Sequence, residues 1–181
     1  SKIKGVNKKQ QESLLNSWGE QKGLRDVLTF LRGIGISHSF AQRIYTKHGI
    51  NSIHLIKVNP YLLTDIPGIG FLTADGIALN LGFDKNSPHR ASAGLLYILE
   101  QQVLNGHTCF PLTDLLTKTA SELLIDQNNL EDPLNQLIED KLIHCDEQNN
   151  DNGEKKKFIY KMLYYMAEQR IVKNIFRILN N

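Results

Sequence analysis

The sequence has little of what builds a cross-linked or membrane-embedded protein. Its 2 cysteines, Cys109 and Cys145, lie far apart and in no Cys-x-x-Cys arrangement, which favours free thiols over a disulfide. No apolar run approaches the roughly 18 residues of a membrane span. The first residues lack the apolar stretch of a secretory signal, and the 6 histidines show no metal-ligand spacing. We therefore expect a cytoplasmic globular protein that has no metal site and no membrane partner.

The net charge of +2 conceals a separation of sign along the chain. Residues 1–50 carry nine Lys or Arg against three Asp or Glu, a balance of +6, and residues 101–150 have a balance of −7. This asymmetry indicates that an anionic partner contacts the first quarter of the chain. Solvated helix faces would produce the same composition, so charge alone leaves both interpretations open.

Apolar residues recur at helical spacing along most of the chain. Leu24, Val27 and Leu31 predict one helix face, which must end near the glycines that follow. Ser37 and Ser87 are suited to cap later helices. The segment after residue 106 is mixed: short strands are expected at 107–110, 142–146 and 158–161, helices lie between them, and a turn is expected at Asp151-Asn152-Gly153. Helix, short strand, two helices and hairpin is the order of a winged-helix domain.

Two glycine turns form an internal repeat, each placed between apolar helices. They read Leu31-Arg32-Gly33-Ile34-Gly35-Ile36-Ser37 and Asp65-Ile66-Pro67-Gly68-Ile69-Gly70-Phe71. Glycine tolerates positive φ and presents no Cβ to an approaching ligand. The amides of such a turn and of the next helix's first turn lack internal acceptors and suit a phosphate oxygen. If Gly33-Ile34-Gly35 is aligned with Gly68-Ile69-Gly70, Ile34 and Ile69 occupy equivalent positions. We expect each of them to pack between the two helices that flank its turn.

The second turn resembles the helix-hairpin-helix motif of DNA repair proteins, and the wider sequence resembles RecD/TraA-type ATP-dependent DNA helicases. The residues that carry this resemblance are Trp18, Glu20-Gln21-Lys22, Phe30-Leu31, Gly35-Ile36-Ser37, Ala41, Arg43-Ile44-Tyr45, Gly49, Ser52-Ile53, Asn59-Pro60-Tyr61, Gly68-Ile69-Gly70-Phe71, Thr73-Ala74-Asp75, Ile77-Ala78, Arg90, Ala93-Gly94-Leu95, Gly106-His107 and Ala167-Glu168.

The resemblance implies a mainly α fold, a tandem helix-hairpin-helix bundle followed by a small winged-helix-like α+β domain. Residues 1–86 would hold the DNA-binding module, 87–161 the winged-helix-like domain, and 162–181 a helix leading to an ATPase motor. In such helicases the motor unwinds DNA with 5′ to 3′ polarity in repair and recombination. No glycine here is followed by Lys-Ser or Lys-Thr, so the phosphate-binding loop is missing. We expect ATP and Mg²⁺ to bind only the motor, with no cofactor here.

The first turn is the stronger candidate for contacting DNA. Arg32, Arg43 and Lys47 lie near it in sequence, and they would assist backbone groups at Gly33, Ile34, Gly35 and Ser37. The partner implied is single-stranded or forked DNA, held through its backbone. The second turn offers Gly68, Ile69, Gly70 and Thr73. It is the weaker candidate because residues 60–83 contain no Lys or Arg, and because Leu72 occupies a position where many such hairpins carry a cation.

Other interpretations stay open. Both turns would serve equally as braces in a scaffold or protein-docking module, for example one that packs on the helicase motor. Glu131, Asp132, Glu139 and Asp140 oppose a DNA role for the expected recognition helix, whereas three lysines at 155–157 follow the wing's turn. A DNA glycosylase is disfavoured because Asp84, the nearby acid, has the wrong sequence context. Trp18 is expected to be a core or packing residue rather than a platform on which a base stacks.

Overall fold

The computed structural model describes residues 8–149 and 155–180, and the expected turn at 151–153 lies outside them. The chain divides into two compact units, residues 1–83 and 84–181. From the sequence, this boundary was expected between residues 86 and 87.

The first unit is helical throughout its described part. Its elements are α1 (Lys8–Gly33), α2 (His38–His48), a 3-10 turn (Gly49–Asn51), α3 (Ser52–Val58), a 3-10 helix (Pro60–Asp65) and α4 (Phe71–Asn80). Local sequence sets several of these bounds. The Asn59 side chain accepts a hydrogen bond from the Tyr61 amide at 3.0 Å, and Pro60 starts the 3-10 helix.

The first unit's core is formed by one stripe from each helix. Val27 and Leu31 of α1 and Ile44 of α2 are fully buried. A buried polar contact joins the 3-10 helix to α4, because the Tyr61 hydroxyl donates to Asp75 Oδ1 at 2.7 Å. The rings of Tyr61 and Phe71 also stack, with centroids 5.9 Å apart. These contacts fix the start of α4 relative to the turn that precedes it.

The second unit combines helices with a small sheet. Its elements are α5 (Pro88–Leu104), β1 (Cys109–Pro111), α6 (Leu112–Leu123), a 3-10 turn (Gln127–Leu130), α7 (Glu131–Glu139), β2 (Ile143–Asn149), β3 (Lys155–Lys161) and α8 (Met162–Leu179). The antiparallel sheet has the order β1-β3-β2, with Phe110 and Cys145 both opposite Ile159. The core contains Leu95, Ile98, Leu99, Leu115, Leu134, Leu137, Ile143 and Ile159. The expected fold class, mainly α with a small α+β domain, is confirmed.

A buried arginine holds the start of the second unit. Arg90 Nη1 donates to the carbonyl oxygens of Lys85 at 3.0 Å and Leu123 at 2.9 Å. Leu123 ends α6, and the next residue, Leu124, adopts the left-handed conformation with φ of 54°. The guanidinium therefore satisfies a carbonyl at a helix end that has no intrahelical donor.

Among the described residues, those that anchor the last helix, α8, contact its beginning. The Tyr165 ring stacks on His144 of β2, with centroids 3.7 Å apart. Beyond that contact every residue from 169 to 180 is exposed, including several large apolar side chains: Ile171, Val172, Ile175, Phe176, Ile178 and Leu179. None of the described helices is long and apolar enough to cross a membrane.

Candidate nucleic-acid interface

The first glycine turn is the C-terminal cap of α1. The Gly35 amide donates to the Arg32 carbonyl at 3.0 Å, and the Ile36 amide donates to the Leu31 carbonyl at 2.9 Å. Gly35 has φ of +87°. These two bonds around a left-handed glycine define a Schellman motif, in which Ile36 and Leu31 make the accompanying apolar contact. Both side chains are buried, so the turn is held from within the unit.

The second turn repeats three features of the first, in a different register from the one that the sequence suggests, although its Ile69 amide donates to the Ile66 carbonyl at 2.9 Å and not to a residue five positions earlier. Gly68 has φ of +90°, Ile69 is buried, and Gly70 is the extended N-cap of α4. In the first turn the matching positions are Gly35, Ile36 and Ser37, since Ser37 is the extended N-cap of α2. The alignment of Gly33-Ile34-Gly35 with the second turn, expected from the sequence, was therefore wrong by two residues.

The packing of α2 and α4 supports this corrected register. Counting from the two N-caps, Ala41 corresponds to Ala74 and Ile44 corresponds to Ile77, and all four are buried. Ile34, which we expected to hold the first turn, is only half-buried. Gly33 is the last residue of α1, so it belongs to the helix and not to the turn.

Of the two groups of amides expected to be open, those of the first turn and those at the start of the next helix, only the second group is open to a ligand. The amides of Ile34, Gly35 and Ile36 are occupied by carbonyls of α1, because a helix cap uses its turn amides internally. Open amides lie instead in the first turns of the following helices. Within the described residues, the amides of Ser39 in α2 and of Thr73 in α4 have no protein acceptor. Both residues are exposed, so each helix start can receive an anion.

The cations of α2 lie at the second turn rather than the first. Arg43 Nη1 donates to the Pro67 carbonyl at 2.9 Å. Lys47 Nζ donates to the Asp65 carbonyl at 3.2 Å and lies 3.7 Å from Asp65 Oδ2. The second turn, which has no basic residue of its own, therefore receives a guanidinium and an ammonium from the preceding helix, and the Asp65 carboxylate partly balances the ammonium.

Between α2 and the second turn runs a groove of about 650 Å³, here named the α2 groove. It is lined by Ser39, Gln42, Arg43, Thr46, Lys47, Ile66 and Pro67. Ser39, Arg43 and Lys47 are spaced four residues apart and so lie on one face of α2. That spacing was visible in the sequence. What it could not reveal is which turn the face adjoins, because the contacts join residues 18 and 24 positions apart.

Gly68 is required beside this groove for two reasons. Its φ of +90° is one that L side chains rarely adopt, and a Cβ there would lie 3.1 Å from the Phe40 ring and 3.5 Å from Arg43 Nη1. The Arg43 guanidinium also lies over the Phe40 ring, 5.6 Å from its centroid. The glycine thus leaves room for the side chains that bring positive charge to the turn.

Arg32 lies apart from this cluster. It ends α1, is exposed, and lines a second groove of about 380 Å³ with His38 and residues of α1. The predicted site residues therefore fall into two groups. Arg43 and Lys47 join Gly68 at the second turn, and Arg32 stays with Gly35 and Ser37 at the first.

The second unit offers less to an anionic ligand. In the wing, Lys155 and Lys157 lie 3.4 Å and 3.9 Å from the Glu147 carboxylate, so their charge is partly balanced. The first turn of α7 carries Glu131 and Asp132, and its end carries Glu139. Such a surface repels phosphate.

Comparisons with known proteins point to one family of DNA helicases. Residues 20–109 match the family model described as the HHH domain of the ATP-dependent RecD2 DNA helicase. The ATP-dependent RecD2 DNA helicase of Deinococcus radiodurans is 29% identical over 110 residues, which is 60% of this chain. The chain spans 15% of that relative's length. The resemblance noted from the sequence is thereby confirmed.

Proposed function

Because residues 20–109 match the family model for the HHH domain of ATP-dependent RecD2 DNA helicases, we propose that this chain is a DNA-binding accessory region of such a helicase. The observation that carries the proposal is the α2 groove, where two exposed cations meet a glycine turn and Ser39 of the first turn of α2. These groups suit phosphate oxygens.

The contacts would be made with the sugar-phosphate backbone and not with base edges. Arg43 supplies a planar guanidinium at the Pro67 carbonyl, and Lys47 supplies an ammonium at the Asp65 carbonyl. Phosphate contacts position a protein on DNA without conveying sequence. The chain would therefore bind DNA regardless of sequence and guide a single strand or a fork.

The rest of the polypeptide would supply the chemistry. The sequence has no phosphate-binding loop, so a motor beyond it would bind ATP and Mg²⁺ and unwind DNA from 5′ to 3′ in repair and recombination. Residues 162–181 would lead to that motor, and residues 87–161 would act as a winged-helix-like spacer whose acidic surface contacts protein.

A second function, docking on protein, is favoured by one specific observation. The number of large apolar side chains exposed on α8, Ile175 and Phe176 among them, is higher than isolated surface residues would account for. The helicase's own motor domains would be the simplest protein to cover them. This role is compatible with DNA binding by the first unit.

The test is fluorescence anisotropy of labelled single-stranded and forked DNA across a salt series. The variant Arg43→Gln/Lys47→Gln removes two charges from the α2 groove. We expect affinity to fall about tenfold at low salt and the slope of log affinity against log salt to fall by about 2. Circular dichroism establishes that the variant is folded.

The matched control is Lys173→Gln/Arg177→Gln. It removes one lysine and one arginine at the same four-residue spacing from the exposed part of α8. Equal affinity loss in the two variants would show a general charge effect and reject the α2 groove as the site. Absence of binding by the unaltered chain at low salt would reject the DNA proposal.

A further inference from the structure

One face of α1 carries an exposed tryptophan in line with three cations. Trp18, Lys22, Arg25 and Arg32 follow each other at intervals of four, three and seven residues, so they share one side of the helix. Thr29 lies on the same side, and all five are exposed. We name this surface the α1 face. Its length from Trp18 to Arg32 is about 21 Å at 1.5 Å per residue.

The exposure of the indole departs from the sequence expectation that Trp18 is a core or packing residue. The side chain is 72% exposed, although an indole is among the most costly apolar groups to leave in water. No contact in the described part of the chain requires a tryptophan at this position. A flat aromatic ring with an open side is suited to stacking on a planar partner.

The charges around Trp18 favour an anionic partner. Lys22, Arg25 and Arg32 form no ion pair with any described carboxylate. A groove of about 380 Å³ continues from this face to His38 at the start of α2. The lining residues are Gln21, Leu24, Arg25, Leu28, Thr29, Arg32 and His38, with no acidic residue among them. One exposed aromatic ring followed by a row of cations is a combination found on nucleic-acid surfaces that bind unpaired strands.

We infer that the α1 face is a second DNA-contact surface, on which Trp18 stacks with an unpaired base while Lys22, Arg25 and Arg32 contact phosphates of the same strand. The inference rests on the proposed function and adds a preference to it. Phosphate contacts alone do not distinguish single strands from duplexes, but a base must leave its pair before an indole can stack on its ring. The α1 face would therefore select single-stranded DNA or the arm of a fork.

The experiment uses the intrinsic fluorescence of Trp18, which is the only tryptophan of the chain. The full 181-residue chain is titrated with a thymidine oligonucleotide, a blunt duplex of equal length, and polyglutamate as a plain polyanion. Stacking should quench the emission with the single strand, at the concentration where anisotropy of the labelled oligonucleotide reports binding. Duplex and polyglutamate should leave the emission nearly unchanged.

Substitutions test the affinity. Trp18→Ala should weaken single-strand binding by about tenfold, in the range for losing one stacked base, and Trp18→Phe should restore most of it. Duplex affinity should be the same for all three proteins. A purely structural role for the indole would lower both affinities together, and circular dichroism would show the loss of helix.

The outcomes separate this inference from the proposed function. If anisotropy reports DNA binding but the Trp18 emission is not quenched, and if Trp18→Ala binds with equal affinity, the proposal for the α1 face is rejected. The proposal for the α2 groove is not affected by that result. Quenching that persists in Arg43→Gln/Lys47→Gln at undiminished affinity supports the α1 face and rejects the α2 groove. Equal quenching by polyglutamate would show that the indole responds to nearby charge and would reject stacking.

Discussion

Two glycines inside helices illustrate how the surroundings of one residue decide its effect. A Cβ on Gly94 of α5 would lie 2.2 Å from Leu123 Cδ2, and Leu123 is itself buried. A Cβ on Gly76 of α4 would meet nothing within 4 Å. Alanine is favoured over glycine in a helix by about 1 kcal/mol, whereas overpacking a core costs about 1–3 kcal/mol.

These magnitudes predict opposite signs for one chemical change. Gly76→Ala should raise the free energy of unfolding by up to about 1 kcal/mol because only the helix preference changes. Gly94→Ala should lower it by about 1 kcal/mol because Leu123 must move within the core. Urea denaturation followed by circular dichroism measures both. If Gly94→Ala stabilised the protein instead, α5 and α6 would be able to move apart without a cost in free energy.

At the scale of an element, β3 places a tyrosine where its hydroxyl meets little water. Tyr160 lies opposite Cys109 of β1 and His144 of β2. Its hydroxyl accepts a hydrogen bond from Gln148 Nε2 at 3.1 Å, and its ring lies edge-on to Tyr165. Burial, assisted by the neighbouring Cys109 side chain, raises the pKa of Tyr160 to about 12.

This shift predicts that the second unit loses stability in alkali. The folded protein keeps the Tyr160 proton above the ordinary pKa of 10.0, at which the unfolded chain releases it. The stabilisation is therefore complete below pH 10 and is lost as pH rises towards 12. At pH 11 the loss should be about 1 kcal/mol. Urea midpoints of the unaltered chain should fall faster between pH 10 and 11.5 than those of Tyr160→Phe. Parallel curves would contradict the assignment.

The element scale is also where sequence reasoning performs best. Ser87 caps α5 by accepting a hydrogen bond from the Arg90 amide at 3.3 Å, and such capping signals are local. Ser37 is the N-cap residue of α2, as expected, but its side chain accepts no hydrogen bond from the helix. The register of the first turn was misjudged because Gly33 and Gly35 offered two pairings with the second turn. The φ values distinguish them, since +87° belongs to Gly35 while Gly33 remains helical.

At the scale of the whole molecule, the two units differ in charge. Residues 1–83 hold ten Lys or Arg against five Asp or Glu, whereas residues 84–181 hold eleven against fourteen. Anionic ligands are drawn to the positive unit. Adding a thymidine oligonucleotide should therefore shift amide resonances mainly in the first unit, including those of Ser39 and Thr73. Shifts of equal size in the amide resonances of α7 would contradict this prediction. High salt should abolish the shifts in the first unit.

Long-range contacts are what the sequence could not supply at this scale. Arg43 was assigned to the nearest glycine turn along the chain, yet its hydrogen-bond acceptor is the Pro67 carbonyl, 24 residues away. Trp18 was expected to be a core or packing residue, yet it is exposed. In both cases the deciding fact is how the helices pack, which local sequence pattern does not reveal.

The position of Arg43 and Lys47 also bears on how the repeat could have been inherited. If two complete hairpins had been duplicated and kept independent, each would carry its own cations, and either could be exchanged between proteins. Here α2 belongs to the first hairpin by sequence but donates to carbonyls of the second. The two hairpins therefore depend on each other: a recombination breakpoint between residues 48 and 65 would separate the second turn from the cations that α2 brings to it.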